Sequence, residues 1–215
     1  MGMINDKDRK VVSDRLAKLA GPVKLVMFTQ EMECAFCKET RELVQELGGL
    51  SDRLTVEVRD FVKDAEAAKR LGVDKIPAVA VLGAEDKDYG IRFYGIPAGY
   101  EFVSLLESLD IVAKGQSGVS AAGKEKLKAL KKPVHLQVFV TPTCPYCPRA
   151  VVQAFRLAVE SPLVSASMVE ATEFPHLANK YQVSGVPHTV IGDSPQPMIG
   201  AYPEAAALEL ILAAA

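Results

Sequence analysis

A cysteine pair spaced C-x-x-C occurs twice in this chain, and its surroundings recur with it. Cys34 and Cys37 stand 110 residues before Cys144 and Cys147, Pro77 stands 110 before Pro187, and Val73 stands 110 before Val183. Each half therefore places a proline 43 residues after its first cysteine. A cysteine pair alone recurs by accident more readily than a pair plus a proline at one constant offset. The chain reads as a tandem repeat of one folding unit. The segments entering the cysteines, FTQEMEC and FVTPTC, differ by one residue, which is loop-length variation between two copies. In a chain of 215 residues, two units of roughly 100 residues are each long enough to bury a core.

Hydrophobic periodicity gives both halves one order of elements. In the first, apolar residues at helical spacing predict a helix over Asp6–Ala20, ended by Gly21-Pro22. The strand VKLVMFT, the cysteine site and the helix KETRELVQEL follow. Then come strand LTVEVRDF, helix DAEAAKRLG closed by Gly72, strands AVAVLG and IRFYG linked through EDKDYG, and helix EFVSLLESLDIV. The second half repeats this with AGKEKLKALKK, VHLQVFV, the cysteine site, PRAVVQAFRLAVE, LVSASMVEA, EFPHLANKYQ, HTVIG, PMIG and EAAALELILAAA. Strands alternating with helices predict an α/β fold, each unit a central mixed sheet flanked by helices. The stretch AKGQSGVSAAG divides residues 1–116, with the CAFC pair, from residues 117–215, with the CPYC pair.

Composition removes several classes of function. A net charge of −2 gives no reason to expect nucleic acid or an anionic membrane as partner. The charged start MGMINDKDRK lacks a signal-peptide core, and no segment approaches the roughly 18 apolar residues of a membrane span. A soluble, cytoplasmic protein is the expectation. Four cysteines are too few for a disulfide-stapled scaffold, and C-x-x-C in such a protein points to redox chemistry or a metal. Asn occurs only twice, at Asn5 and Asn179, a scarcity of thermolabile residues that agrees with a thermophilic source.

Position assigns roles within each pair. A strand ends, a short loop follows, and C-x-x-C opens a helix, so the first cysteine meets unpaired N–H groups and the positive end of the helix dipole. That placement favours its thiolate, which is the nucleophile. The second cysteine lies about one turn on and faces the same side. It can attack a mixed disulfide formed at the first, the two-step course of thiol–disulfide exchange. Cys34 and Cys144 are thus candidate nucleophiles, and Cys37 and Cys147 candidate resolving thiols. Pro145 suits a first helical turn. Phe36 and Tyr146 supply an apolar rim for a peptide or thiol substrate. Glu31, Glu33 and Glu39 surround Cys34, opposed by Lys38 and Arg41, whereas Arg149 is the only charge near Cys144 in sequence. The Cys144 thiol is expected to be the more acidic.

Together, C-x-x-C at a helix start and Ile76-Pro77 or Val186-Pro187 some forty residues on resemble the thioredoxin superfamily. CPYC has the glutaredoxin form and KIPAV the thioredoxin form. Two such units, with TPTCPYCP, YGIPAGYEF and GAYPE, resemble the two-domain protein disulfide oxidoreductases of archaea and thermophilic bacteria. The resemblance implies two thioredoxin-fold units joined through their sheets or helices. It implies reduction, oxidation and isomerisation of protein disulfides, cis bonds before Pro77 and Pro187, and substrate lying extended along Ile76 or Val186. It implies electrons from a thioredoxin-reductase-like flavoprotein and no tightly bound organic cofactor. One departure stands out: where thioredoxins carry a buried acid beneath the cysteines, this chain has Met27 and Val138, neither of which carries a proton.

Other readings of the same thiols are a metal site of four cysteine ligands, an electron donor to a peroxidase, and a peptide-binding chaperone with incidental cysteines. Zinc ribbons separate their pairs by about 15–20 residues. Here 106 residues lie between Cys37 and Cys144. His188, next to Pro187, is expected to be satisfied or solvated, and His135 and His176 show no partner in the sequence. Lys124, Lys126, Lys128, Lys131 and Lys132 read as a solvated face. Gly95 and Gly200 each follow a last strand, as turns or as points of close substrate approach.

Overall fold

The structure is a computed structural model and describes residues 2–214. The first half runs α1 (Asp6–Leu16), β1 (Val23–Thr29), α2 (Cys37–Gly48), β2 (Leu54–Asp60), α3 (Ala65–Arg70), β3 (Ala78–Leu82), β4 (Asp88–Tyr94) and α4 (Glu101–Lys114). The second runs α5 (Ala121–Leu127), β5 (Val134–Val140), α6 (Cys147–Glu160), β6 (Val164–Glu170), α7 (Pro175–Lys180), β7 (His188–Ile191), β8 (Met198–Ile199) and α8 (Glu204–Ala214). Each half is the same mixed α/β unit, as the repeat requires.

Local chemistry sets the ends of these elements. Asn5 accepts the Asp8 N–H to open α1, and Ser120 accepts the Gly123 N–H to open α5. Helix α1 stops at Leu16, short of the expected Ala20, yet Leu19 stays buried beyond it. Helices α5 and α7 are likewise shorter than their apolar patterns, ending at Leu127 and Lys180. Gly72 closes α3 at φ 63°, with the Val73 N–H returning to the Ala68 carbonyl. At the matching place after α7, Gln182 takes φ 52° and the Val183 N–H returns to Ala178. The turn is repeated although its glycine is not.

All the strands form one eight-stranded sheet, ordered β2-β1-β3-β4-β6-β5-β7-β8. The two halves meet where β4 pairs in parallel with β6, Ile91 opposite Ala166 through Tyr94 opposite Val169. Of the joining modes left open, sheet pairing is the one used. Strands β1, β2, β4, β6 and β5 run the same way, with β3 and β7 antiparallel to their neighbours. Both cysteine sites therefore open from the same end of the sheet. Four strand steps separate β1 from β5, roughly 19 Å at the usual spacing.

Side chains alternate between two cores. Leu25, Met27, Val79, Phe93, Val138 and Met168 face α1, α2, α4, α5, α6 and α8, while Phe28, Ala80, Tyr94, Phe139 and Val169 face α3 and α7. Phe93 and Phe155 meet edge to face at 5.1 Å, which fastens α6 of the second half onto β4 of the first.

The loop after β4 locks onto the second half at one glycine. Gly99 has φ 60°, and a Cβ there would overlap the Pro142 carbonyl oxygen, which accepts the Tyr100 N–H at 2.9 Å. Gly99→Ala is expected to destabilise the protein by roughly 2–4 kcal/mol, from left-handed backbone strain plus displacement of a backbone contact. Gly118, at φ 70° in open space, is the control. Its alanine variant carries only the conformational cost of about 1–2 kcal/mol. Urea unfolding midpoints for the two variants check this.

Candidate active sites

Each cysteine pair is closed as a disulfide, Cys34–Cys37 and Cys144–Cys147, with Cα atoms 5.5 Å apart in both. The helices begin at the second cysteine, not the first: Cys37 opens α2 and Cys147 opens α6, with Phe36 and Tyr146 as the flanking residues. Pro148, rather than Pro145, occupies the first helical turn of α6. The helix end still acts on the first cysteine, because the Cys147 N–H donates to Cys144 Sγ at 3.2 Å. A sulfur accepting a backbone N–H is favoured as thiolate. No corresponding bond to Cys34 forms among the described residues.

The Ile76–Pro77 and Val186–Pro187 bonds are cis. Cys144 Sγ lies 3.7 Å from the Val186 carbonyl oxygen, so the structure brings this cysteine and the proline loop together. Pro77 and Pro187 are buried, while Ile76 and Val186 are half-buried. Tyr146 is 71 % exposed and Phe36 is 41 % exposed, which leaves an aromatic rim at each site open to a partner. Cys37, Cys144 and Cys147 are buried, and Cys34 is half-buried.

Charge around the two sites differs as the sequence suggests. Arg41 is tied to Glu31 at 2.7 Å, so its charge is offset locally. Helix α6 carries no acid in its first turn, whereas α2 carries Glu39. The lysine face of α5 is balanced by acids, Lys124 with Glu160, Lys126 with Glu209 and Lys128 with Glu125.

His188 is neither satisfied nor solvated, contrary to expectation. It is buried against Phe139, no partner reaches either ring nitrogen, and burial lowers its pKa. A neutral ring is the form that burial without a partner favours. His135 sits between the Ser165 and Ser167 hydroxyls at 2.8 and 3.1 Å; burial, then the charge of Lys75, brings it down to about 4. It lines a cavity of about 370 Å³ on the α3/α7 face of the sheet, away from the end bearing the cysteines.

Met27 and Val138 are fully buried and apolar, as their sequence positions imply. Buried acids enter from elsewhere. Glu101, the first residue of α4, is 1 % exposed, and neither carboxyl oxygen has a hydrogen-bond partner. Burial pushes it up to about 7, with nearby Ser104 working the other way without a well-formed hydrogen bond. Helix α4 packs on α6, and Tyr100, next to Glu101, is bonded to Pro142 in the loop entering CPYC. A second group gathers at the ends of β4 and β6. Glu173 accepts the Ile96 N–H at 2.7 Å, and Glu170 is 2 % exposed. Burial, followed by the charges of Glu170 and Glu39, pushes Glu173 up to about 7 against the effect of the Ile96 N–H. Among the described residues no group of three or more His, Cys, Asp or Glu is arranged to hold a metal ion. No helix is long and apolar enough to cross a membrane.

Comparison with known proteins meets this geometry. The thioredoxin domain family matches residues 134–213. A protein disulfide oxidoreductase from Aeropyrum pernix K1 superposes with a TM-score of 0.89 at 31 % identity, over 98 % of this chain and 93 % of that one. A structure of the alkylhydroperoxide reductase AhpF from Enterococcus faecalis gives 0.88 at 28 % identity, over 97 % of this chain and 99 % of that one. The alkyl hydroperoxide reductase of the same type from Pseudomonas aeruginosa is 28 % identical across 173 residues, 80 % of this chain. This chain spans about 30 % of that relative's length.

Proposed function

This chain belongs to the protein disulfide oxidoreductases built from paired thioredoxin folds, and on that premise we propose that it exchanges dithiols and disulfides with protein substrates at two C-x-x-C sites. The observation that carries the reading is the pair of disulfides opening from one end of a single sheet, each at a helix start. We divide the chain into units 1–116 and 117–215. Cys34 and Cys144 are the nucleophiles, Cys37 and Cys147 the resolving thiols. Ile76, Pro77, Val186 and Pro187 lie along the substrate backbone, and Phe36 and Tyr146 contact its side chains.

In the reducing direction, the Cys144 thiolate attacks one sulfur of a substrate disulfide. A mixed disulfide forms, and the substrate's other sulfur leaves as a thiolate and takes a proton. Cys147 then gives up its proton and attacks Cys144 Sγ. The Cys144–Cys147 bond forms, the mixed disulfide breaks, and the second substrate sulfur leaves and is protonated. Two electrons pass from the enzyme dithiol to the substrate. Glu101 is the buried acid assigned to take the Cys147 proton, in place of the acid missing at Val138. A flavoprotein of the thioredoxin-reductase kind restores the dithiol, the thiols need no organic cofactor for this chemistry, and the setting is the cytoplasm.

Dithiothreitol-driven insulin reduction tests this. The wild type is expected to precipitate the insulin B chain rapidly, and the Cys34→Ser/Cys144→Ser variant to fall to the dithiothreitol background. Activity surviving both substitutions would overturn the reading and favour a chaperone. Likeness to the alkyl hydroperoxide reductases favours a second reading, electron delivery to a peroxidase. Faster turnover with a thiol peroxidase than with insulin would select it.

A further inference from the structure

Glycines Gly95 and Gly200 occupy equivalent places after the last long strand of the first half and after β8. Each donates its N–H to a cis proline carbonyl, Gly95 to Pro77 at 3.0 Å and Gly200 to Pro187 at 2.8 Å. Their surroundings are not equivalent. A Cβ on Gly200 would meet nothing within 4 Å, whereas one on Gly95 would lie 2.6 Å from Glu170 Cβ and 2.8 Å from Glu173 Oε1. The second half thus inserts two carboxylic acids beside the proline loop of the first site, and the first half returns no such group to Gly200. Glu39, two residues after Cys37, adds a third acid from α2.

These acids are poorly satisfied as anions. Glu39 Oε2, Glu170 Oε1 and Glu173 Oε2 are all buried without a partner. The remaining bonds are the Ile96 N–H to Glu173, and Thr172 Oγ1–H and the Glu173 N–H to Glu170 Oε2, both at 2.7 Å. None of the three acids forms an ion pair with a lysine or arginine among the described residues. The groups facing Glu173 are therefore Glu39 from α2, Glu170 from β6 and the Ile96 N–H from the loop after β4. Buried like charges that share a site do not all ionise together; one retains a proton.

We propose that Glu173, with Glu39 and Glu170, forms a proton-holding cluster at the junction of the two halves that sets the acidity of the Cys34 thiol. It is a positioning group, acting by charge through the Pro77 loop and the first turn of α2. The proposal rests on the disulfide-exchange reading for its purpose: it would make the first site a weaker thiolate above neutral pH while the second site is spared. With the proton held, the cluster carries one negative charge fewer. When the proton leaves to solvent, the added charge disfavours the Cys34 thiolate. The burial-raised acidity of Glu173 places that change near pH 7.

The test is iodoacetamide alkylation of the fully reduced protein from pH 5.5 to 9, read at Cys34 and Cys144 by peptide mass spectrometry. Wild-type Cys34 is expected to show a shoulder near pH 7 on its rate profile. In Glu173→Gln, whose amide oxygen still accepts the Ile96 N–H, the shoulder should vanish. Rates should coincide with the wild type below the shoulder and exceed it by roughly three- to tenfold above it, for a shift of up to about one pKa unit. Cys144 should change less. If Glu173→Gln fails to fold, Glu39→Gln removes the opposing charge and should also abolish the shoulder. A Cys34 profile superimposable on wild type in whichever variant folds, or a larger shift at Cys144, overturns the proposal. Wild-type protein that fails to reduce insulin would instead remove the disulfide-exchange reading, whatever alkylation shows.

Discussion

Cys144→Ser is expected to cost most of the insulin-reducing activity, and Cys34→Ser much less. The reason is thiolate supply at each helix start. Cys144 Sγ accepts the Cys147 N–H, no acid lies in the first turn of α6, and Arg149 follows closely. Cys34 lacks the matching bond and is set among Glu31, Glu33 and Glu39, with Arg41 engaged by Glu31. Each pKa unit of separation changes the thiolate fraction about tenfold, but the more acidic thiol is intrinsically less nucleophilic by about threefold per unit. The net advantage is about threefold per unit, so a separation of one to two units predicts a loss of roughly three- to tenfold in Cys144→Ser. Steady-state rates for both single variants under the same dithiothreitol drive decide it. A greater loss in Cys34→Ser would reverse the ranking and make CAFC the main site.

The repeat offset carried most of the fold in plain view. Cys34, Cys37, Pro77 and their partners 110 residues later define two copies of one α/β unit, and period and turn residues place nearly every strand. Less legible was how the copies join. Strand β4 reads as a strand of the first unit, and nothing in DYGIRFY says that its free edge pairs with VSASMVE some seventy residues later; edge pairing depends on backbone groups that every residue carries. Helix ends were also hidden. Gln182 adopts the left-handed turn that Gly72 announces in the other copy, because the surrounding contacts outweigh an unfavourable local preference. The buried acids were the largest omission at the site. A glutamate opening an apolar helix, as in EFVSLLESLDIV, looks like an ordinary first-turn acid, and only burial by α6 and the Pro142 loop gives it a different character. Glu173 reads as a loop residue, since its neighbours Glu39 and Ile96 are distant in sequence.

Glu101→Gln is expected to move stability and activity in opposite directions. The folded-state pKa of Glu101 is raised to about 7 from an ordinary 4.5. For a group raised in the folded state, the stabilising contribution is complete below the unfolded value and is lost as pH rises through the folded one. Between pH 4.5 and 7 the wild type should therefore lose on the order of 3 kcal/mol from this group, at about 1.4 kcal/mol per unit. The neutral amide cannot ionise, so urea unfolding of Glu101→Gln should show a flatter dependence across that window and a relative gain over wild type at pH 8. The same substitution removes the assigned acceptor of the Cys147 proton. Insulin reduction through the second site, measured in a Cys34→Ser background, should fall by roughly ten- to hundredfold and lose its rise near pH 7. A residue kept only for packing would not show this pairing, because its loss would leave the pH profile unmoved. A variant with unchanged activity and an unchanged profile would return Glu101 to a purely structural place and leave the Cys147 proton to solvent.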